Sequence, residues 1–309
     1  MAPAAAPLIA FVGPTAAGKS AAALRLASER GGEIVSCDSL QVYRGLDIGS
    51  AKPSAEERAR VRHHLIDVVE PTADFSAAEY ARQAREALAA IRERGSLSIV
   101  VGGTGLYLRA LLQGLFEGPS RDEPLRRRLE AWAKRFGDRR LHRLLTHVDK
   151  AAASRIHPND RLRIVRALEV FRATRRPIST HHEAGSQALP GFAPHVIGID
   201  PGAPALRVAV GARTRRMLSE GLLSEVRGLL ARGLSPECRP LRAIGYRQAV
   251  KAVLEDRKGD EIERDIVTAT MQYAKRQRTW FRHQVQAAWC RDAEAAHAAA
   301  CSWLDRGDA

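Results

Sequence analysis

The feature that most constrains this chain is a glycine-rich octapeptide near its start. It consists of Gly13, Pro14, Thr15, Ala16, Ala17, Gly18, Lys19 and Ser20. It fits the pattern G-x-x-x-x-G-K-[ST], follows the apolar run 8–12 and precedes an alanine-rich helical stretch, which is the context that the pattern requires. Backbone N–H groups of such a loop, together with the helix N-terminus, form a cradle for phosphate. Lys19 can direct a positive charge at the terminal phosphate, and the Ser20 hydroxyl can bind a Mg²⁺ ion that bridges phosphate oxygens. The motif predicts a phosphate-binding loop and leaves the bound compound open.

Alternation of short apolar runs with helical stretches predicts an α/β fold. Besides residues 8–12, strand candidates lie at 33–37, 63–69, 98–101 and 195–200, and 76–94 has helical periodicity. Strands that alternate with helices favour a doubly wound parallel sheet. Combined with the glycine loop, this pattern predicts a P-loop NTPase-like sheet with a helical insertion, and the chain after residue 200 is expected to be helical.

The positive charge of the chain is concentrated in one segment. The formal net charge is +14, and residues 121–180 alone carry 17 Lys+Arg against 7 Asp+Glu, with little strand pattern. We therefore predict a catalytic core formed by 1–118 and 195–309 and a basic helical insertion at 119–194. Such an excess favours a polyanionic partner, most simply a nucleic acid, although a genome that favours arginine is an alternative explanation.

The cysteines and the hydropathy exclude several classes of protein. Cys37, Cys238, Cys290 and Cys301 lie far apart and form no CxxC pair, so neither a disulfide framework nor a zinc motif is expected. A reducing, cytoplasmic location follows from this cysteine usage. No apolar stretch approaches the roughly 18 residues of a membrane span, so no membrane partner is expected.

Two polar residues stand at the predicted ends of strands. Asp38 follows the strand 33–37 and Thr104 follows the strand 98–101, so both are expected at the edge of the sheet where ligands bind. Asp38 can serve as a general base and Thr104 as a hydrogen-bond donor to phosphate. The alternatives are a turn cap for Asp38 and a helix N-cap for Thr104. Asp67 is the comparable strand acid that can hold a metal in a nucleotide hydrolase.

Several segments together resemble one family, the tRNA dimethylallyltransferases, also called tRNA isopentenyltransferases. The matching segments are GPTAAGKS (13–20), SCDSLQVYRGLDIGSAKP (36–53), HHLIDVVEP (63–71), VGGTGLYL (101–108), RIVRALEV (163–170), MLSEGLLSEV (217–226), RAIGYRQ (242–248) and YAKRQRTWFR (273–282). The resemblance implies transfer of a dimethylallyl group from dimethylallyl diphosphate to N6 of adenosine 37 in tRNA, beside the anticodon. Diphosphate is released in this reaction, and the implied metal is Mg²⁺.

The resemblance also implies roles for particular residues. Asp38 matches the family's general base, and a carboxylate that accepts the amine proton accelerates such attack by about 10²–10⁴-fold. The leaving diphosphate would be stabilised by Lys19, the loop N–H groups, Mg²⁺ on Ser20 and Thr104. Arg213 matches a diphosphate-contacting arginine, although Arg215 and Arg216 are close neighbours, and an exposed basic helix face is the alternative for all three.

The resemblance further implies where tRNA binds. The implied contact positions are Asp38, Ser39, Leu40, Gln41, Thr104, Arg126, Leu162, Arg163, Ile164, Val165, Arg166, Arg242, Ala243, Ile244, Gly245, Tyr246 and Arg247. The basic and aromatic stretch 271–283 suits backbone contact combined with base stacking. Core packing of Trp280 and Phe281 is the alternative.

Three functions are compatible with these patterns. The leading one is a monomeric tRNA prenyltransferase whose partners are dimethylallyl diphosphate and the anticodon stem-loop of tRNA. A small-molecule kinase that holds ATP in the loop is the second, but it gives no reason for the basic insertion. A non-catalytic RNA-binding protein is the third, and it predicts tRNA binding without turnover.

Overall fold

The computed structural model describes residues 5–115, 118–119, 121–183, 187–257 and 259–307. The chain forms two compact units, one that ends at Leu112 and resumes at Leu189, and one that comprises Gln113–Ala188. Within the described residues, no helix combines the length and the apolar character that a bilayer crossing requires.

The insertion begins and ends six residues earlier than the predicted bounds of 119 and 194. The reason is visible at its C-terminal junction, where Leu189 donates its N–H to the carbonyl of Leu112 and is buried in the core. The next residues already continue the sheet, since Ala6 donates its N–H to Gly191. Residues 116, 117, 120 and 184–186, which fall within or beside the predicted bounds, lie outside the described residues.

The first unit is built on a six-stranded parallel sheet. Its strands are β1 (Ala6–Val12), β2 (Gly32–Ser36), β3 (His63–His64), β4 (Leu97–Gly102), β5 (Phe192–Ile199) and β6 (Ala288–Cys290). Their order across the sheet is β3-β2-β4-β1-β5-β6, and every pair is parallel. The predicted doubly wound α/β sheet is confirmed.

Both faces of the sheet are covered. In β1, Leu8, Ala10 and Val12 pack into one hydrophobic cluster, whereas Ile9 and Phe11 pack into a second. Successive side chains of a strand point to opposite faces, so a continuous apolar run of this kind requires helices on both sides.

The helices follow the strands in the expected alternation. In chain order they are α1 (Lys19–Arg30), α2 (Ala55–Arg60), α3 (Ala77–Glu93), α4 (Gly105–Gln113), α5 (Glu123–Phe136), α6 (Asp138–Val148), α7 (Lys150–Arg155), α8 (Arg161–Thr174), α9 (Ile178–Glu183), α10 (Ala203–Ser219), α11 (Leu222–Ala231), α12 (Tyr246–Leu254), α13 (Asp260–Gln284) and α14 (Ala293–Asp305). Helices α1 and α14 pack on one face of the sheet, while α3 and α13 contribute to the cluster on the other face.

Two strands differ from the prediction. The stretch 63–69 supplies only two strand residues, because Leu65 and Asp67 adopt φ values of +60° and +57°, which end the extended backbone. β6 was not expected in the helical C-terminal region. It is only three residues long, and it pairs with β5 from Ile197 to Ile199, which is too short for an alternating pattern to be visible in the sequence.

The insertion is helical, as predicted, and has a core of its own. Leu141, Leu145, Ile164, Val165 and Val170 are fully or almost fully buried in it. Glu169 is completely buried in it, and its carboxylate accepts hydrogen bonds from Arg126, from Arg166 and from the backbone N–H of Asp122. Burial alone would raise the pKa of Glu169, but these donors lower it to about 2. The network is therefore a charged structural element of the insertion.

Candidate active site

The carboxyl ends of β1, β2 and β4 meet at one edge of the sheet. Val12 at the end of β1 pairs with Gly102 at the end of β4, and Ser36 of β2 pairs with Val101. A cavity of about 930 Å³ opens at this edge, and its lining includes the glycine loop from Thr15 to Ser20, Asp38, Gly103, Arg213 and Gln277. Lys19, Ser20 and Arg213, which were predicted to act on the diphosphate or its metal, therefore share one cavity with the predicted base.

The glycine loop ends in Lys19, whose side chain is buried. Gly18, at a φ of +89°, precedes α1, and Lys19 and Ser20 form the first turn of that helix. The ammonium of Lys19 donates to the carbonyl of Pro14 at 2.6 Å. Burial, assisted by the charge of Arg213, lowers the pKa of Lys19 to about 8. The Ser20 side chain is exposed in the first turn of α1 and lines the cavity.

Asp38 is held by the turn that follows β2. Its Oδ1 accepts the N–H of Leu40 at 2.8 Å and the N–H of Gln41 at 3.4 Å. This is the turn cap that was the alternative to a functional role, and it does not conflict with that role, because the same carboxylate lines the cavity. Its negative charge acts on Lys19, where it opposes the lowering of the pKa. The cap thus fixes the direction of a carboxylate that faces the glycine loop.

Thr104 lies behind this turn. Its Oγ1 accepts the N–H of Ser39 at 3.1 Å, and its own N–H donates to the carbonyl of Cys37 at 3.2 Å. Among the described residues, Thr104 is not one of those that line the cavity. In this structure it joins the end of β4 to the Asp38 turn, and the direct phosphate contact predicted for it stays a prediction.

Of the three neighbouring arginines on α10, Arg213 is the one that reaches the glycine loop. Its guanidinium donates to the hydroxyl of Thr15 at 3.0 Å. Burial lowers the pKa of Arg213, while the charge of Asp38 raises it in partial compensation. Arg215 instead pairs with Glu263, and Arg216 lies 3.8 Å from Glu220 on the same helix. The contact with the loop therefore favours Arg213, while Arg216 also lines the large cavity.

The sequence analysis missed Gln277. This buried side chain on α13 accepts the N–H of Thr15 on Oε1 at 2.9 Å and donates from Nε2 to the carbonyl of Gly103 at 2.8 Å. It thereby connects the ends of β1 and β4. The available signal was its position four residues after Tyr273, which places both side chains on one face of a helix.

Glu225 on α11 was also missed. Its carboxylate accepts the backbone N–H groups of Asp47 and Ile48 at 2.8 and 2.7 Å and the hydroxyl of Tyr246 at 2.7 Å. It holds the loop after Leu46, part of which lines the large cavity. The resemblance contained this glutamate within MLSEGLLSEV, but a single acid in a helix gives no signal for backbone capping.

A second cavity of about 370 Å³ adjoins the first. It shares Thr15, Asp38, Arg213 and Tyr273 with the large cavity. Its further lining includes Ser39, Leu40, Arg242, Ala243, Ile244 and Gly245, all of which were predicted to contact tRNA. The carboxylate of Asp38 consequently borders both the phosphate-loop cavity and a cavity lined by predicted RNA-binding positions.

Other predicted tRNA contacts have side chains in the protein core. Tyr246 is completely buried and bonded to Glu225, and Ile164 and Val165 belong to the core of the insertion. Their side chains serve packing, and contact of these positions with tRNA stays a prediction. The helical period explains the difference, because α8 turns Leu162 and Arg163 outward while it turns the next two residues inward.

Several of the arginines predicted to contact tRNA form ion pairs within the protein, and their contact with tRNA stays a prediction. Arg126 and Arg166 bind the buried Glu169, and Arg278 and Arg282 both bind Asp200 at 2.9 Å. Gln41 is likewise engaged, since its amide donates to the carbonyl of Ala51 at 3.0 Å. In contrast, the side chains of Arg242 and Arg247, and of Lys275 and Arg276 on α13, are exposed.

Trp280 and Phe281 on α13 serve packing. Phe281 is buried, and a Cβ on Gly105 would come within 2.3 Å of the Trp280 ring, so the start of α4 lies directly against that ring. This bears out the core alternative rather than base stacking.

Asp67 pairs with Lys52 at 2.6 Å and with Arg58 at 3.1 Å, away from the end of a long strand, so it is not the strand acid of a nucleotide hydrolase.

Fold and site define a P-loop NTPase-like α/β protein in which a carboxylate separates the phosphate-loop cavity from a second cavity. A family model described as IPP transferase matches residues 41–284, and the chain belongs to this family. Relatives named tRNA dimethylallyltransferase include that of Geobacter metallireducens, 49% identical over 282 residues and 91% of each chain. That of Halorhodospira halophila is 50% identical over 281 residues, 90% of this chain and 91% of its own.

Solved structures agree with the fold. The tRNA isopentenylpyrophosphate transferase of Bacillus halodurans matches with a TM-score of 0.70 and 36% identity, covering 98% of both chains. A eukaryotic dimethylallyltransferase acting on tRNA matches with a TM-score of 0.79 over 98% of this chain and 79% of its own. At 24% identity, that second likeness concerns the fold alone.

Proposed function

We propose that this protein transfers a dimethylallyl group from dimethylallyl diphosphate to N6 of adenosine 37 in tRNA and releases diphosphate. The observation that carries the proposal is the position of Asp38 on the border of the two cavities. One cavity has the donors that a diphosphate needs, and the other is lined by the segment 242–245. Membership of a family whose named relatives are tRNA dimethylallyltransferases supports the choice of substrates.

In the proposed complex the glycine loop holds the diphosphate. Lys19 and Arg213 are buried cations in the cavity wall, and their mutual repulsion contributes to the lowered pKa of Lys19. A bound diphosphate would relieve that repulsion and favour the charged form of Lys19. As the bond between C1 of the dimethylallyl group and oxygen breaks, the electron pair leaves with the diphosphate, and these preorganised donors stabilise the growing negative charge.

The acceptor side supplies the nucleophile and the base. The lone pair of an adenine N6 amine is delocalised into the ring, so the amine is a weak nucleophile. The new bond joins N6 to C1, and Asp38 accepts the proton that N6 loses. General base assistance of this kind contributes about 10²–10⁴-fold. Extrusion of the base is least costly from a single-stranded loop, which favours an anticodon loop as the substrate.

The donor set around the loop suits a magnesium ion. The hydroxyl of Ser20 faces the large cavity, and Mg²⁺ prefers hard oxygen ligands of this kind together with phosphate oxygens. When bound, the ion would neutralise part of the charge on the leaving diphosphate. Thr104 would act on this site through the Asp38 turn, which it supports through Ser39.

We expect one chain to suffice for the reaction, because Lys19, Asp38, Arg213 and Tyr273 all come from the same chain. The tRNA would meet the exposed basic side chains of the insertion, which include Arg127, Arg128, Arg139, Arg143 and Arg163. Phosphate contacts of this type are independent of sequence and depend strongly on salt.

The test is transfer of label from dimethylallyl diphosphate to tRNA, compared with transfer from γ-labelled ATP. Prenylation of adenosine 37, located by nuclease digestion and mass spectrometry, is the expected result. Label from ATP in a small molecule would instead identify a kinase. Tight tRNA binding without turnover of either donor would identify a non-catalytic RNA-binding protein.

A further inference from the structure

Gln277 has no role in the reaction steps proposed above. It is 6% exposed, and its side-chain amide lies between the glycine loop and the loop that follows β4. Tyr273 lies one helical turn earlier on α13, on the same face of the helix, and lines both cavities. Thr15, which the Gln277 amide holds by its N–H, also lines both cavities.

The orientation of this amide is fixed by its partners. Oε1 faces the N–H of Thr15, and Nε2 faces the carbonyl of Gly103. A flipped amide would place two donors together at Thr15 and two acceptors together at Gly103. Each mismatch would leave a buried polar group without a hydrogen bond, which is costly in a protein interior. The side chain therefore acts as a directional link and not as interchangeable packing.

Gly103 leaves the space that the Gln277 amide occupies. A Cβ at position 103 would lie 2.3 Å from Nε2 of Gln277, so any larger residue would displace the amide. Arg213 contacts the same Thr15 through the hydroxyl. Thr15 is consequently held at its backbone by α13 and at its side chain by α10.

We propose that Gln277 is a positioning residue that sets the geometry of the phosphate loop for diphosphate by joining Thr15 to the loop that follows β4. It acts through Thr15 and Gly103 and not through contact with the reacting atoms. The inference rests on the proposed function, since it assumes that the loop binds the diphosphate of the prenyl donor.

Two substitutions separate this role from ordinary packing. Gln277→Glu keeps the shape and the acceptor for Thr15, but it places a carboxylate oxygen against the carbonyl of Gly103 and a negative charge beside the cradle. Gln277→Met keeps the approximate volume and removes both hydrogen bonds. Gln284→Glu is the matched control, because Gln284 is exposed at the end of the same helix and makes the same change of charge away from both cavities.

The first measurement is calorimetric binding of inorganic pyrophosphate with Mg²⁺ to the full-length protein, followed by steady-state kinetics. We expect both Gln277 variants to bind pyrophosphate at least about tenfold more weakly, with a matching rise in KM for dimethylallyl diphosphate. The KM for tRNA should stay within about twofold, and Gln284→Glu should behave as the wild type.

The outcomes distinguish failure of the positioning role of Gln277 from failure of the proposed function. If the wild type fails to bind pyrophosphate, the proposed function loses its phosphate site. If the wild type binds and the Gln277 variants bind equally well, the positioning role is overturned. Parallel loss of tRNA and pyrophosphate affinity with a lowered Tm would also overturn it, since a merely structural residue behaves in that way. Gln277→Glu retains the bond to Thr15, so it decides the question if Gln277→Met does not fold.

Discussion

At the scale of single residues, the candidate site concentrates two buried cations and one carboxylate around an open cavity. Lys19 and Arg213 each have a lowered pKa because burial disfavours their charged forms, and the charge of Asp38 partly offsets the effect on both. Buried like charges destabilise the free protein and are relieved by an anionic ligand. The arrangement therefore favours diphosphate over a neutral ligand before any contact is made.

Lys19 makes the affinity for diphosphate depend on pH. With its pKa lowered to about 8, the free protein loses this proton as the pH rises above that value, whereas the diphosphate complex favours the protonated amine. The affinity for pyrophosphate should therefore fall from about pH 8 upward, by at most about tenfold per pH unit. Calorimetry between pH 7 and 9.5 tests this. Lys19→Ala should bind more weakly and show a smaller pH dependence, and an unchanged profile would contradict the assignment.

The same shift has the opposite sign for folding. Between pH 8 and the ordinary range of a lysine, the unfolded chain binds more protons at this position than the folded chain does. The contribution of Lys19 to stability therefore rises with pH across that window. In the pyrophosphate complex, which favours the charged form of Lys19, this contribution should rise less with pH than in the ligand-free protein.

Asp38 is the residue on which proton removal depends. Asp38→Asn preserves the turn acceptor for Leu40 but has no basic oxygen, so we expect kcat to fall by about 10²–10⁴-fold. Affinity for tRNA should change by only a few-fold. Rapid-quench measurement of prenyl transfer and filter binding of tRNA separate the two effects. Near-wild-type turnover would remove Asp38 from the role of base.

At the scale of elements, the site depends on close approach between the ends of strands and helix α13. Gly103→Ala should displace Gln277, because the new methyl group would overlap its amide. Overpacking of this kind costs about 1–3 kcal/mol. Urea unfolding and the KM for dimethylallyl diphosphate should both report the change.

Gly228→Ala provides the matched control for that substitution. Gly228 lies inside α11, and nothing stands within 4 Å of its added Cβ. Alanine in a helix interior is favoured over glycine by about 0.5–1 kcal/mol. This variant should be neutral or slightly more stable and should keep wild-type kinetics. Equal damage from both alanines would mean that the packing at Gly103 is not specific.

What the sequence could predict follows the range of the interactions involved. The glycine loop, the strand ends and Asp38 were predictable because their signals are local: a spacing, an apolar run and a polar residue at its end. Gln277 and Glu225 were not, because their partners Thr15 and Asp47 lie 262 and 178 residues away in the chain. The roles of the arginines were equally hard to predict, because only the fold shows that Arg278 forms an ion pair with Asp200.

At the scale of the whole molecule, the basic charge separates into structural and exposed groups. The triple variant Arg127→Ala, Arg128→Ala, Arg143→Ala removes exposed charges of the insertion. If these groups contact tRNA phosphates, the slope of log affinity against log salt concentration should decrease by about 2. Fluorescence anisotropy with labelled tRNA over a salt series measures this slope. An unaltered slope would make these arginines a solvated surface.

Arg126→Ala is the informative comparison, since it removes one positive charge from the same segment. It would leave Glu169 with Arg166 as its remaining arginine, and breaking a buried ion pair costs up to about 3 kcal/mol when one partner is lost. Lower thermal stability with an unchanged salt slope is therefore expected. A large change in slope without loss of stability would return Arg126 to the tRNA interface.

The junction at Leu112 and Leu189 has a consequence for how such proteins diversify. The chain departs and returns at one backbone hydrogen bond, so the excursion interrupts no pairing within the sheet. The length or sequence of a segment anchored in this way can change while the strand pairing that places Asp38 beside the glycine loop is preserved. If the insertion contacts RNA as proposed, such changes would alter the preference for particular RNAs and leave the alkylation site intact.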